Sequence, residues 1–123
     1  GGGAAANISN AFQFAAFRMI TGMPIDADRK GKLAARFAEM GLSTVYGQAL
    51  DSRNLPGEED YWRVLRAKNF TYFGTGMYAG AVLGCASAEV EEQLFQLGGL
   101  TGEAIQLHDD IKDAFETPAN PDW

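Results

Sequence analysis

The sequence contains little cysteine, little proline and a shortage of basic charge. Cys85 is its only cysteine, which excludes a disulfide within the chain. The 10 basic residues are outnumbered by 16 acidic ones, so the net charge is −6 and no basic stripe is available to bind nucleic acid. The first residues lack the charged and apolar segments of a signal peptide. The expected location is therefore a reducing cytoplasm, and nucleic acid is not an expected partner.

Apolar residues make up 46% of the 123 residues, which is typical of a globular chain. No segment alternates between apolar and polar residues for long, so the predicted fold class is all-α. Helices are predicted over about residues 6–20, from an N-cap at Asp26 to about 51, from 57–60 towards 68, and from an N-cap at Ser87 to near 116. No linker divides the chain, so residues 1–123 are predicted to form a single domain.

Residues 69–88 carry no charge, and this segment is long enough for a membrane helix. Gly76, Gly80 and Gly84 repeat within it at the spacing that lets helices pack closely in bilayers. The polar residues of the segment and its amphipathic neighbours favour a buried central helix of a globular domain instead. We therefore predict that the protein is not an integral membrane protein.

Three aspartates near the predicted end of the last helix are the strongest chemical signal. Asp109 and Asp113 lie one helical turn apart, with Cβ atoms about 6 Å from each other, and Asp110 flanks the same face. Mg²⁺ prefers a few carboxylates completed by water and phosphate oxygens. The alternative is a solvated helix end. Against it, anions are disfavoured near a helix C-terminus unless a cation is present.

Three motifs in register resemble one protein family. Residues 102–113 read G-x-x-x-Q-x-x-D-D-x-x-D, residues 47–51 read G-Q-x-x-D, and Glu59-x-Tyr61 is followed by Ala67-Lys68. The first pattern is similar to the second aspartate-rich motif of trans-type isoprenyl diphosphate synthases, also called polyprenyl synthetases. The other two resemble segments that precede it in that family. The resemblance covers about residues 6–117.

The resemblance implies an isoprenoid-synthase-type bundle of long helices around an apolar cavity, of which residues 1–123 would form only a part. It implies a Mg²⁺-dependent prenyltransferase that condenses an allylic diphosphate with isopentenyl diphosphate. It also implies a homodimer that associates through the first two helices.

Residue roles follow from the same resemblance. Asp109, Asp110 and Asp113 would ligate Mg²⁺, with Asp109 the best candidate for direct contact. Lys68 would bind the substrate diphosphate, and its carbonyl, Asn69 and Gln106 would present oxygens to the allylic cation. Two residues of the neighbouring helix, Gln48 and Asp51, would support substrate binding.

Two departures from the family pattern leave alternatives open. Asn69 stands where the family usually has threonine, and the first aspartate-rich motif is not within the sequence and would lie before Gly1. We therefore expect the 123 residues alone to be inactive. A class I terpene cyclase and a non-catalytic partner subunit of a prenyl diphosphate synthase are the alternative functions.

Overall fold

A computed structural model describes residues 2–116, and these residues form helices joined by short turns. The elements are α1 (Gly2–Gly22), α2 (Ala27–Asp51), α3 (Glu58–Leu65), a π-helical turn (Arg66–Phe70), α4 (Thr71–Leu83) and α5 (Ala88–Phe115). The π turn joins α3 and α4 into one continuous helix, so the described residues form four helical rods and no strand. The all-α prediction is confirmed. The predicted domain also includes residues 1 and 117–123, which lie outside the described part of the chain.

The predicted helix caps are confirmed. Asp26 precedes α2 and accepts a hydrogen bond from the backbone N–H of Arg29, and Ser87 precedes α5 and accepts one from Val90. The side-chain and backbone hydrogen bonds from Arg29 lower the pKa of Asp26 below its usual value. These two caps fix where α2 and α5 begin, because each satisfies a backbone donor that the helix itself cannot.

Glycines of α5 let this helix pack unusually close to α4 and to the π turn. A Cβ built at Gly98 would lie 2.6 Å from the Phe73 carbonyl oxygen, and one at Gly99 would lie 2.5 Å from the Phe70 ring. Gly76 and Gly80, in contrast, have no neighbouring atom within 4 Å. Within residues 2–116 the spacing of Gly76 and Gly80 therefore marks no helix contact. None of the helices in this range combines the length and the apolar composition of a membrane-spanning helix.

The core lies towards the end of the bundle where α1 turns into α2. It is formed by Leu33, Tyr78, Val82 and Phe95. Arg36 of α2 lies over the rings of Tyr78 and Phe95, at 4.4 and 4.3 Å from their centroids. These contacts tie α2, α4 and α5 together at one end and leave the other end of α2 free to form a cleft.

An ion pair adds to the contact between α2 and α5. The Lys32 ammonium donates to the Glu91 carboxylate over 3.2 Å, and the Glu91 side chain is only 6% exposed. The hydrogen bond to Glu91 raises the pKa of Lys32 above its usual value. Removing Lys32 would leave the buried Glu91 carboxylate without its counterion between the helices, which is strongly destabilising.

Candidate functional site

A cleft opens at the end of the bundle opposite the core. The end of α2, the turn that follows it, α3, the π turn and the last turns of α5 enclose about 540 Å³. Leu50, Val64 and Leu65 give it an apolar floor. Its polar lining combines one lysine with carboxylates, amides and hydroxyls, namely Thr44, Asp51, Asn54, Asp60, Tyr61, Lys68, Asn69, Gln106 and Asp110.

The π turn places Lys68 and Asn69 on the wall of the cleft. A π turn widens the helix and shifts its hydrogen bonds, and such turns occur frequently at functional sites. The Ser43 hydroxyl of α2 donates to the Ala67 carbonyl oxygen over 2.7 Å. A backbone carbonyl of the irregular turn therefore receives a hydrogen-bond donor from the neighbouring helix α2.

Gly47 explains how α2 approaches the π turn. A Cβ at this position would lie 2.6 Å from Lys68 Cγ and 2.9 Å from Ala67 Cβ, so a side chain would push the two elements apart. The close approach brings the α2 carboxylate of Asp51 within reach of Lys68, whose Nζ donates to Asp51 Oδ2 over 3.0 Å. The glycine and the aspartate of the G-Q-x-x-D motif therefore act on the same lysine.

A chain of hydrogen bonds runs along the α5 side of the cleft. Asn69 Nδ2 donates to Gln106 Oε1 over 3.2 Å, and Gln106 Nε2 donates to Asp110 Oδ1 over 2.9 Å. Tyr61 Oη of α3 donates to Asp110 Oδ2 over 2.6 Å. We call these four residues the Asp110 network. Burial and the hydrogen bond to Asp110 raise the pKa of Tyr61 to about 12, so its phenol keeps its proton at neutral pH.

The structure brings most of the predicted site residues together. The cleft includes Asp51, Lys68, Asn69, Gln106 and Asp110. The other three predicted site residues are exposed and do not line the cleft, namely Gln48, Asp109 and Asp113.

Four polar residues that line the cleft were not predicted as site residues, namely Thr44, Asn54, Asp60 and Tyr61. A signal for Tyr61 was present in the sequence: it precedes Lys68 by seven residues, which is about two helical turns, so both side chains lie on one face of the helix.

The available oxygen atoms suit a Mg²⁺ ion whose coordination is completed by water and substrate better than one enclosed by protein ligands alone. Within residues 2–116 no three His, Cys, Asp or Glu side chains converge as a metal cluster. The residues of α5 do offer oxygen atoms, because Asp110 borders the cleft while Asp109 and Asp113 are exposed within one turn of it. Mg²⁺ usually keeps several waters and binds through one or two carboxylates together with substrate phosphates. The donor chemistry at this end of α5 therefore suits Mg²⁺ held jointly with a diphosphate.

The sequence as a whole shows which family the chain belongs to. Residues 1–121 match the family model described as polyprenyl synthetase. The chain belongs to the polyprenyl synthetase family. The family resemblance of the three sequence motifs is thereby confirmed.

Curated relatives of this polyprenyl synthetase family chain are prenyl diphosphate synthases by name. A geranylfarnesyl diphosphate synthase of Methanosarcina mazei is 30% identical over 88 residues, or 69% of this chain and 30% of the relative. A nonaprenyl diphosphate synthase of Mycobacterium tuberculosis is 31% identical over 81 residues, or 66% of this chain and 24% of the relative. A geranylgeranyl diphosphate synthase of M. mazei is 35% identical over 71 residues, or 54% of this chain and 22% of the relative. The chain thus spans less than a third of the relatives it matches.

Proposed function

We propose that the full-length protein is a Mg²⁺-dependent prenyltransferase that condenses an allylic diphosphate with isopentenyl diphosphate to make a longer polyprenyl diphosphate. The observation that supports this most is the cleft, which Lys68 and the Asp110 network line together, with residues of all three family motifs in its walls. The names of the relatives support the same reaction class.

Lys68 is the proposed diphosphate-binding cation. The side chain of Lys68 is 30% exposed and that of its partner Asp51 is 53% exposed. A solvent-exposed ion pair of this kind stabilises a protein by at most about 1 kcal/mol. Lys68 can therefore leave Asp51 at little cost and donate to the oxygens of an entering diphosphate. Asp51 and Gln48 of α2 are proposed to support this binding.

The α5 carboxylates are the proposed metal ligands. Asp109, Asp110 and Asp113 present oxygen atoms at the end of a helix whose dipole would otherwise disfavour them. When bound, Mg²⁺ would neutralise the negative charge that develops on the departing diphosphate. We propose that three oxygen atoms point towards the allylic cation: the side-chain amide oxygens of Gln106 and Asn69 and the backbone carbonyl oxygen of Lys68.

A product assay tests this proposal. The full-length protein is incubated with dimethylallyl and isopentenyl diphosphates, with Mg²⁺ or with excess chelator, and products are identified by mass spectrometry after phosphatase treatment. We expect prenyl alcohols of ten or more carbons only with Mg²⁺, and none from the 123 residues alone. If incubation with longer allylic diphosphates gives cyclic hydrocarbons, the protein is a terpene cyclase instead. If it forms no product but binds a second prenyl synthase chain, it is a non-catalytic partner subunit.

We further propose that the protein is a homodimer in which α1 lies at the interface. Phe12 and Phe14 are each 73% exposed and Met19 is 69% exposed, so α1 presents large apolar side chains that no described residue covers. Phe14→Arg is expected to shift the full-length protein from dimer to monomer in light scattering. Gln96→Arg adds the same charge to an exposed position of α5 and is expected to leave a dimer. An unchanged mass for Phe14→Arg would contradict this interface.

The cytoplasmic location stays a prediction from the sequence.

A further inference from the structure

The Tyr61 hydroxyl joins two sides of the cleft. Tyr61 lies in the first turn of α3, and its hydroxyl donates to Asp110 of α5 over 2.6 Å. Across residues 2–116 this is the one side-chain hydrogen bond between α3 and α5. A short hydrogen bond from a hydroxyl to a carboxylate belongs to the stronger class of protein hydrogen bonds. The orientation of Asp110 therefore depends on a residue 49 positions earlier in the chain.

Both oxygens of Asp110 are held by donors from different elements. Tyr61 binds Oδ2, Gln106 binds Oδ1, and Asn69 in turn holds the Gln106 amide. Two bonds at the two ends of a carboxylate fix its plane as well as its position. Each carboxylate oxygen has two lone pairs, so Asp110 can still accept one further partner on each oxygen.

Without these donors, electrostatic repulsion would favour orientations of the Asp110 carboxylate that point away from the cleft. It is adjacent to Asp109 and one turn from Asp113, so three like charges share the last turns of α5. The helix dipole adds to their repulsion at this end. Lys68, the cation of the cleft, is hydrogen-bonded to Asp51 rather than to Asp110.

We propose that Tyr61 is a positioning residue whose hydroxyl, together with Gln106, holds Asp110 at the edge of the cleft for binding of a metal–diphosphate complex. This inference rests on the proposed prenyltransferase function. Tyr61 touches neither substrate nor metal in it and acts only through Asp110. Partners that orient a metal ligand commonly change metal affinity or activity by about 10- to 100-fold when they are removed.

Tyr61→Phe in the full-length protein isolates this effect. The variant keeps the ring, which packs edge-on against Trp62 at 5.6 Å between centroids, and removes only the hydroxyl. Mn²⁺, used as a paramagnetic substitute for Mg²⁺, is titrated in the presence of inorganic pyrophosphate and its free fraction is measured by electron paramagnetic resonance. We expect Tyr61→Phe to weaken Mn²⁺ binding about tenfold. Tyr46→Phe removes a hydroxyl from a tyrosine that is 54% exposed and lies outside the cleft, and it is expected to bind Mn²⁺ like the wild type.

A double variant separates positioning from a general effect on the fold. If Tyr61 acts through Asp110, Tyr61→Phe will not weaken Mn²⁺ binding further in an Asp110→Ala background. Equal Mn²⁺ affinity of Tyr61→Phe and wild type, or full additivity in the double variant, would overturn the inference while leaving the proposed function intact. A wild type that binds no Mn²⁺ with pyrophosphate and forms no prenyl product would overturn the proposed function and this inference with it.

Discussion

Two threonines one turn apart on α4 show how much a single hydroxyl depends on its surroundings. Thr71 Oγ1 lies 2.9 Å from Ser43 Oγ, so this hydroxyl is hydrogen-bonded. Thr75 is only 8% exposed, and its Oγ1 is buried without a hydrogen-bond partner among residues 2–116. It lines an apolar cavity of about 120 Å³ next to Leu33 and Phe37. A buried hydroxyl without a partner costs about 1–3 kcal/mol.

Replacing these two threonines by valine, one at a time, is expected to change the free energy of unfolding in opposite directions. Thr75→Val removes the unsatisfied hydroxyl at nearly constant volume and is expected to raise the free energy of unfolding by about 1 kcal/mol. Thr71→Val removes a satisfied one and is expected to lower it by about 1 kcal/mol. Urea unfolding followed by circular dichroism measures both. A loss of stability in both variants would show that the Thr75 hydroxyl is satisfied in solution.

Contacts along one helix were predictable from the sequence, whereas contacts between distant helices were not. Gln106, Asp109, Asp110 and Asp113 fall on one arc of a helix by their spacing alone. The bond between Tyr61 and Asp110 joins residues 49 positions apart. It depends on how the π turn that follows α3 packs against α5, and no local pattern specifies that packing.

At the scale of helices, the ends were predictable and the internal irregularity was not. Asp26 and Ser87 mark the starts of α2 and α5 because side-chain capping is a local property. The π turn at Arg66–Phe70 was not predicted. Its neighbours lie on another helix, where Gly47 and Ser43 of α2 contact it.

The contact between α4 and α5 gives a matched test with two glycines of one helix. A Cβ at Gly74 would lie 2.7 Å from the Phe95 carbonyl oxygen, and backbone in a packed helix has little room to shift. Gly74→Ala is therefore expected to lower the free energy of unfolding by about 1–3 kcal/mol. Gly76 has no neighbour within 4 Å, so Gly76→Ala is expected to raise it by about 0.5–1 kcal/mol through helix propensity. Calorimetric unfolding of the two variants checks the prediction, and a stabilised Gly74→Ala would show that α4 and α5 lie farther apart.

The core cluster and the cleft occupy opposite ends of the bundle. Leu33, Tyr78, Val82 and Phe95 form this cluster and none of them lines the cleft, whose floor includes the buried Leu50 and Leu65. Asp109 is exposed near the cleft end of α5, so its side chain contributes nothing to that core. Substitutions at Asp109 should therefore change catalysis without unfolding the protein. This separation makes a kinetic comparison of folded variants possible.

Turnover of Asp109→Asn in the full-length protein tests whether the α5 carboxylates take part in prenyl transfer. Losing a carboxylate that helps to stabilise developing charge lowers the rate on the order of a hundredfold, or about 3 kcal/mol. Asp28→Asn is the matched control, because Asp28 is an exposed acid in the first turn of α2, outside the cleft.

Turnover is measured with allylic and isopentenyl diphosphates at several Mg²⁺ concentrations, at equal folded fraction by circular dichroism. We predict that Asp109→Asn loses about a hundredfold in turnover and partly recovers as Mg²⁺ is raised, while Asp28→Asn keeps wild-type turnover. Equal turnover of the two variants at every Mg²⁺ concentration would show that the three aspartates form only a solvated helix end.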